Sequence, residues 1–322
     1  MNTRLITPSA MMTIAFLSAM MCVAGYLFLP PQNPAADFGL VFPSPELWKF
    51  PRLWSEVINV AVIALCAPAC WIINKSFSLL KSSLPFWALF YLPLTCANPL
   101  VSGSLTGTAL TLPTVLIMLP VLFSSYRSPN ATRSVFFTAT CISVGSMFQQ
   151  AFLPLFLALI GSCIAMQILR FRELIAMFLG LIAPYWVMIG FGIISLDSFH
   201  LPHLSTIFTT RVSPHIYPML VGSGLIFLIA FLLALNNGMK LYAGNAQIRS
   251  YNNVINIFGL TAVVAMLFDI DNITAYIGVF NLWVALQFGN LFTLWHLHKA
   301  IWMFWLIQIS IVVFAVSVLI TP

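Results

Sequence analysis

The chain has 322 residues, 61% of them hydrophobic and 6% charged, with a net charge of +6. A domain folded in water carries about a quarter charged residues, so this composition excludes a soluble globular protein and makes the chain a polytopic membrane protein. The basic residues stand singly or in pairs and form no patch, which argues against a nucleic-acid partner and makes them topology determinants.

The N-terminus pairs Arg4 with a following apolar stretch, as a signal peptide does. That stretch is about 19 residues, longer than a signal h-region, and no A-x-A cleavage site follows. A retained first helix, Met11–Leu29, is therefore expected. A bilayer core of about 30 Å takes roughly 20 apolar residues per helix. On that length the later crossings are Leu53–Ile73, Leu84–Val101, Thr106–Phe123, Leu174–Ile194, Tyr217–Leu235, Val254–Phe268, Ile273–Gln287 and Ile301–Ile320. The 36 residues between Arg133 and Arg170 are too many for one crossing and few for two.

The excess of Lys and Arg on cytoplasmic loops decides the matter. With Arg4 inside, Lys75 and Lys81, Arg127 and Arg133, Arg170 and Arg172, Lys240 and Arg249, and Lys299 fall on one side only if residues 134–168 form a hairpin. Its arms are Ser134–Phe148 and Ala151–Ile168, turning at Gln149–Gln150. The expectation is one all-α transmembrane domain over 1–322, a bundle of about 11 helices (10–11), with a cytoplasmic N-terminus in a bacterial inner membrane. Ten of the thirteen basic residues then lie inside, against Lys49, Arg52 and Arg211 outside. Asp37, Glu46, Asp197, Asp269 and Asp271 lie outside too, a weak second check.

Residues 30–52 form the first external loop, rich in proline. Ser44-Pro45-Glu46 reads as a helix start, with Ser as N-cap and Pro at the first position. With Trp48 and Trp54 at the interface, a short interfacial helix is expected. A loop of this kind after the first helix resembles membrane glycosyltransferases of C-type architecture, which use lipid-linked sugar donors and carry an acid in that loop. The resemblance implies Asp37, then Glu46, as catalytic candidates, since a carboxylate can activate an acceptor hydroxyl or hold a cation beside a lipid phosphate. A single loop acid is otherwise simply solvated, and the chain lacks the paired acids and large soluble domain of many such enzymes.

The first hairpin arm, about 15 residues or roughly 23 Å of helix, is shorter than the bilayer core, and Gly145, Ser146, Gln149 and Gln150 make its end polar. Two readings stand: a pit on the outer side, or a tilted hairpin whose glutamines reach headgroups. Arg52, Gln149, Gln150 and Arg211 are the candidate substrate-binding residues. Gly103 and Gly107, spaced for close helix approach, sit at an expected turn where flexibility explains them equally. Arg170 and Arg172 mark a cytoplasmic helix end, Glu173 suits the positive end of the helix dipole, and Pro184 should kink that helix near the midplane.

Cys66 and Cys70 share a helix face but have no nearby His or acid, so they read as packing residues. His200, His203 and His215 fall outside and His296 and His298 inside, which removes a four-His iron site; a three-His external zinc site is geometrically open, and no metal or cofactor is expected. Asp269 and Asp271 sit at an external junction, where exposed carboxylates in a turn suffice. No Walker, G-x-S-x-G or H-E-x-x-H motif occurs, and no inverted repeat is visible.

From Leu116 to Trp186 the chain resembles an uncharacterised family of polytopic inner-membrane proteins from Bacteroidetes. Tyr126-Arg127 before a short loop, the hairpin, Arg170–Glu173, and Gly180 with Pro184-Tyr185 carry the resemblance. Gln149-Gln150 departs from it, standing where an aromatic residue and a proline are expected. The resemblance implies fold and location and transfers no catalytic residue. The functional expectation is an accessory or structural protein of cell-envelope biogenesis, whose partners are the lipid bilayer and a lipid-linked glycan. The alternatives are a C-type-like glycosyltransferase or polymerase, and a transporter.

Overall fold

A computed structural model describes residues 7–28, 39–82, 84–200, 216–242, 245–294 and 300–320. Among these there are twelve α-helices and no sheet: α1 Pro8–Phe28, α2 Arg52–Phe77, α3 Phe86–Cys96, α4 Pro99–Ser102, α5 Thr108–Ser124, α6 Thr132–Phe148, α7 Phe152–Ala165, α8 Phe171–Gly190, α9 Ile216–Tyr242, α10 Ala246–Phe268, α11 Ile273–Leu294 and α12 Ala300–Ile320. Seven are long and apolar enough to cross a membrane. The protein is an all-α membrane bundle.

Each expected crossing corresponds to a helix, with one break. The third, expected as a continuous Leu84–Val101, divides at Ala97–Asn98 into α3 and α4. Proline at 99 disfavours helical geometry at the residue before it, and Asn98 is extended (φ −100°, ψ 99°). Its side chain accepts from the Leu100 N–H at 3.2 Å, capping the new helix start.

Among the described residues the helix ends sort into two groups. At one end, which we term acidic, Arg52 donates to the Tyr26 carbonyl, Leu105 N–H to Ser55 Oγ, and His200 N–H to the Leu40 carbonyl. At the other, basic end, Arg127 N–H meets the Met166 carbonyl, Arg172 donates to the Pro129 carbonyl, and Phe77, Phe123 and Tyr126 surround Tyr251. Lys75, Lys81, Arg127, Arg170, Arg172 and Arg249 all lie at the basic end. With α3 and α4 taken as one crossing, the chain alternates between the ends, and the 134–168 hairpin is the α6–α7 pair.

The core is built round α11, in which residues 275–293 are all buried. Trp87 of α3 donates to the Leu282 carbonyl at 2.9 Å, and Asn281 donates back to the Leu94 carbonyl. Phe86, Phe90, Phe288, Phe292 and Phe304 interlock beside them. Close approach needs small residues. A Cβ on Gly259 would lie 2.3 Å from Trp283 Cγ, one on Gly180 2.6 Å from the Phe136 carbonyl oxygen, and one on Gly107 2.6 Å from Ala275 Cβ. Gly107 is therefore a packing residue, where turn flexibility explained it equally well in sequence.

Candidate functional site

Polar side chains gather at both ends of α11. At the acidic end, the first loop is laid across the end of α6. The N–H groups of Leu40, Val41 and Phe42 donate to the carbonyls of Ser146 and Met147. These are the carbonyls that a helix C-terminus leaves without intrahelical partners. Phe42 stacks on Phe148 with centroids 5.1 Å apart, and Trp48 meets the edge of the same ring. The expected interfacial helix is a single 3₁₀ turn, Pro45–Leu47. Proline stands at its first position, but Ser44 does not cap it, and the Ser44 hydroxyl is buried without a partner.

Under this loop lies a hydrogen-bonded knot. Gln149 donates through Nε2 to Asn272 Oδ1, and Asn272 donates to both oxygens of Asp269 at 3.0 and 3.1 Å. Tyr276 adds its hydroxyl to Asp269 Oδ2 at 2.7 Å. Thr274, two residues along, donates to Glu46 Oε1 at 2.9 Å. Thr108 bonds the Thr274 carbonyl, which ties α5 to the same turn. Asp269 is buried (6% exposed), against the expectation of an exposed turn carboxylate. It ends α10, and the α10–α11 turn folds under the hairpin and the first loop. Burial pushes its carboxyl above the usual range; the bonds from Tyr276 and Asn272 oppose this by favouring the charged form.

Each candidate from the sequence can now be placed. Glu46 is half-buried and engaged by Thr274. Gln149 and Gln150 are buried, at 2% and 6% exposure, so they do not reach for headgroups. Protein covers them, and Gln149 Oε1 is left without a partner. Arg52 lies over the Tyr26 ring at 4.5 Å and holds the end of α1 through the Tyr26 carbonyl. Asp37 and Arg211 lie outside the described residues, as do His203, His215, His296 and His298. Among the described residues no three His, Cys, Asp or Glu side chains converge as metal ligands. The cysteines are free, and Cys66 and Cys70 are packed in the core. Glu173 stands in the first turn of α8 as expected but is fully buried, accepting from Thr132 at 3.1 Å and Arg172 at 3.3 Å.

Glu46 and Asp269 thus flank the first turn of α11, although the sequence separates them widely. One is engaged by a threonine and the other by a tyrosine and an asparagine. Such a pair can take up a proton or accept one from a hydroxyl at the membrane surface.

A second cluster lies between α9, α10 and α11 toward the basic end. Asn237 donates to the backbone and side-chain oxygens of Gln287 at 3.2 and 3.0 Å. Gln287 and Trp283 both donate to Asn256 Oδ1 at 2.8 Å, and Asn290 donates to Asn252 Oδ1 at 2.9 Å. Sequence reading missed this cluster because its crossings Tyr217–Leu235, Val254–Phe268 and Ile273–Gln287 left Asn237, Asn252 and Asn290 outside them. The signal was present: Asn252 and Asn256 are four apart, Gln287 and Asn290 three apart, so each pair shares a helix face.

No family model, curated protein or solved structure matches the chain.

Proposed function

We propose that the chain is an accessory membrane protein of the bacterial cell envelope, in the inner membrane with its basic end cytoplasmic, and that its acidic end acts beside a lipid-linked substrate. The charge bias between the two ends supports that orientation. One observation carries the accessory reading: the polar groups of the candidate site are engaged with one another. Asp269, Asn272, Gln149, Thr274 and Glu46 join the first loop, the hairpin and α11 into one rigid surface.

A second reading, a transferase acting on a lipid-linked glycan, is favoured by the two carboxylates at the first turn of α11, which supply the acid pair that the loop alone lacks. The carrier reading drew on a cavity beside Pro184, and that residue sits on α8, a peripheral helix with much of its surface exposed. The deciding experiment is a deletion strain profiled for surface glycans and lipid-linked intermediates, complemented with wild type, Asp37→Asn, Glu46→Gln or Asp269→Asn. Full complementation by all three variants supports the accessory reading. An intermediate that accumulates and that only wild type clears replaces it with the transferase.

A further inference from the structure

The carboxamide cluster encloses a cavity of about 10 Å³, lined by Asn237, Gly238 and Leu241 on α9 and by Arg249, Asn253 and Asn256 on α10. That volume suits one water-sized group. Asn237 is 1% exposed, and its amide nitrogen is committed to two oxygens of Gln287. The amide cannot turn over without setting oxygen against oxygen. Its Oδ1 is consequently fixed, buried and without a partner. A buried acceptor in that position is satisfied by an N–H or O–H donor.

The cavity has an entrance. Gly238 and Asn253 are exposed, and a Cβ added at Gly238 meets nothing within 4 Å. The entrance lies beside the last turn of α9 and the first turns of α10, level with Lys240 and Arg249, where a bundle of this kind meets the headgroup layer. Arg249 forms part of the same lining, at the entrance side of the cavity.

We propose that this entrance is a phospholipid headgroup site selective for headgroups that end in an N–H or O–H donor. The ammonium of an ethanolamine headgroup, or the terminal hydroxyl of a glycerol headgroup, enters the cavity and donates to Asn237 Oδ1. The phosphate stays outside, beside Arg249. A choline headgroup has no such donor and is too wide at its tip to enter.

The test uses the full-length protein in detergent and phosphatidylethanolamine, phosphatidylglycerol and phosphatidylcholine with identical acyl chains, with affinities read by native mass spectrometry. One hydrogen bond to a buried acceptor corresponds to about tenfold in Kd, so the ethanolamine and glycerol lipids should bind about tenfold more tightly than the choline lipid. Gly238→Leu closes the entrance at an exposed position and should remove the preference with the thermal midpoint unchanged. Asn237→Leu should remove it as well. Equal affinity for all three lipids, the result if the cavity holds only water, overturns the proposal; so does a preference that survives Gly238→Leu.

Discussion

Asn272→Ala tests whether the acidic-end knot holds the bundle together. The substitution deletes the acceptor of Gln149 Nε2 and the donor to both oxygens of Asp269. Side-chain hydrogen bonds in membrane proteins average about 0.6 kcal/mol and reach about 1.7, so the contacts themselves contribute about 2 kcal/mol or somewhat more. Gln149 is 2% exposed and already carries one unsatisfied oxygen. Leaving its amide nitrogen without an acceptor adds about 1–3 kcal/mol. The expected loss is about 3–5 kcal/mol, which at roughly 2 °C per kcal/mol for a chain of this size lowers the apparent midpoint by roughly 6–10 °C. Tryptophan fluorescence on heating the detergent-solubilised protein reads this directly. Asn130→Ala is the control, since that exposed side chain has only a 3.4 Å contact with Arg172. A midpoint for Asn272→Ala within a degree of the control would refute the view that the knot is structural.

Three further outcomes follow from the same geometry. Burial raises the carboxyl of Asp269, so the folded protein keeps that proton at pH values where the unfolded chain has lost it. Stability should therefore fall as pH rises from the usual carboxylate range to the raised folded value, then level off; Asp269→Asn should remove that component from a midpoint-versus-pH series. Gly259→Ala should destabilise the protein by about 1–3 kcal/mol despite the better helix propensity of alanine. The new Cβ meets Trp283, whose indole is held by Asn256; Gly224→Ala, in open space, should not destabilise, and chemical unfolding of the pair checks both. Lys49→Cys and Lys81→Cys should react with an impermeant maleimide from opposite sides of the membrane, and labelling of both from one side would break the alternation of helix ends.

Much of the fold was legible because lipid imposes simple terms on sequence. Backbone polar groups must be satisfied within helices, so apolar length marks the helices and basic residues sort their ends. The hairpin followed from charge parity alone, and α6 and α7 turn at Gln149–Gln150 as that parity requires. The break before Pro99 was less visible, since proline is common in membrane helices and only the Asn98 cap shows that the chain restarts there. The site was harder still. Glu46 was a candidate for its place in a loop, and nothing local tells that it meets Thr274, 228 positions away. Asp269 read as a solvated turn residue because neighbours in sequence do not reveal that a distant hairpin covers it.

The burial of the helices does follow a rule that a single sequence contains. α10 and α11 are the least hydropathic of the seven long spans and also the most buried, whereas α9 and α12 are more apolar and have few buried residues. In water the ordering would run the other way, with the most apolar helix at the centre. Here the surroundings are as apolar as leucine, so apolar side chains gain little from leaving them. Asn281, Gln287 and Asn290 gain a great deal by finding partners on α3, α9 and α10. These carboxamides draw α11 inward, and the aromatic and glycine packing then completes the fit. Carboxamides inside an otherwise apolar span therefore identify the central helix, and the two polar clusters at its ends are where a membrane surface can reach that centre.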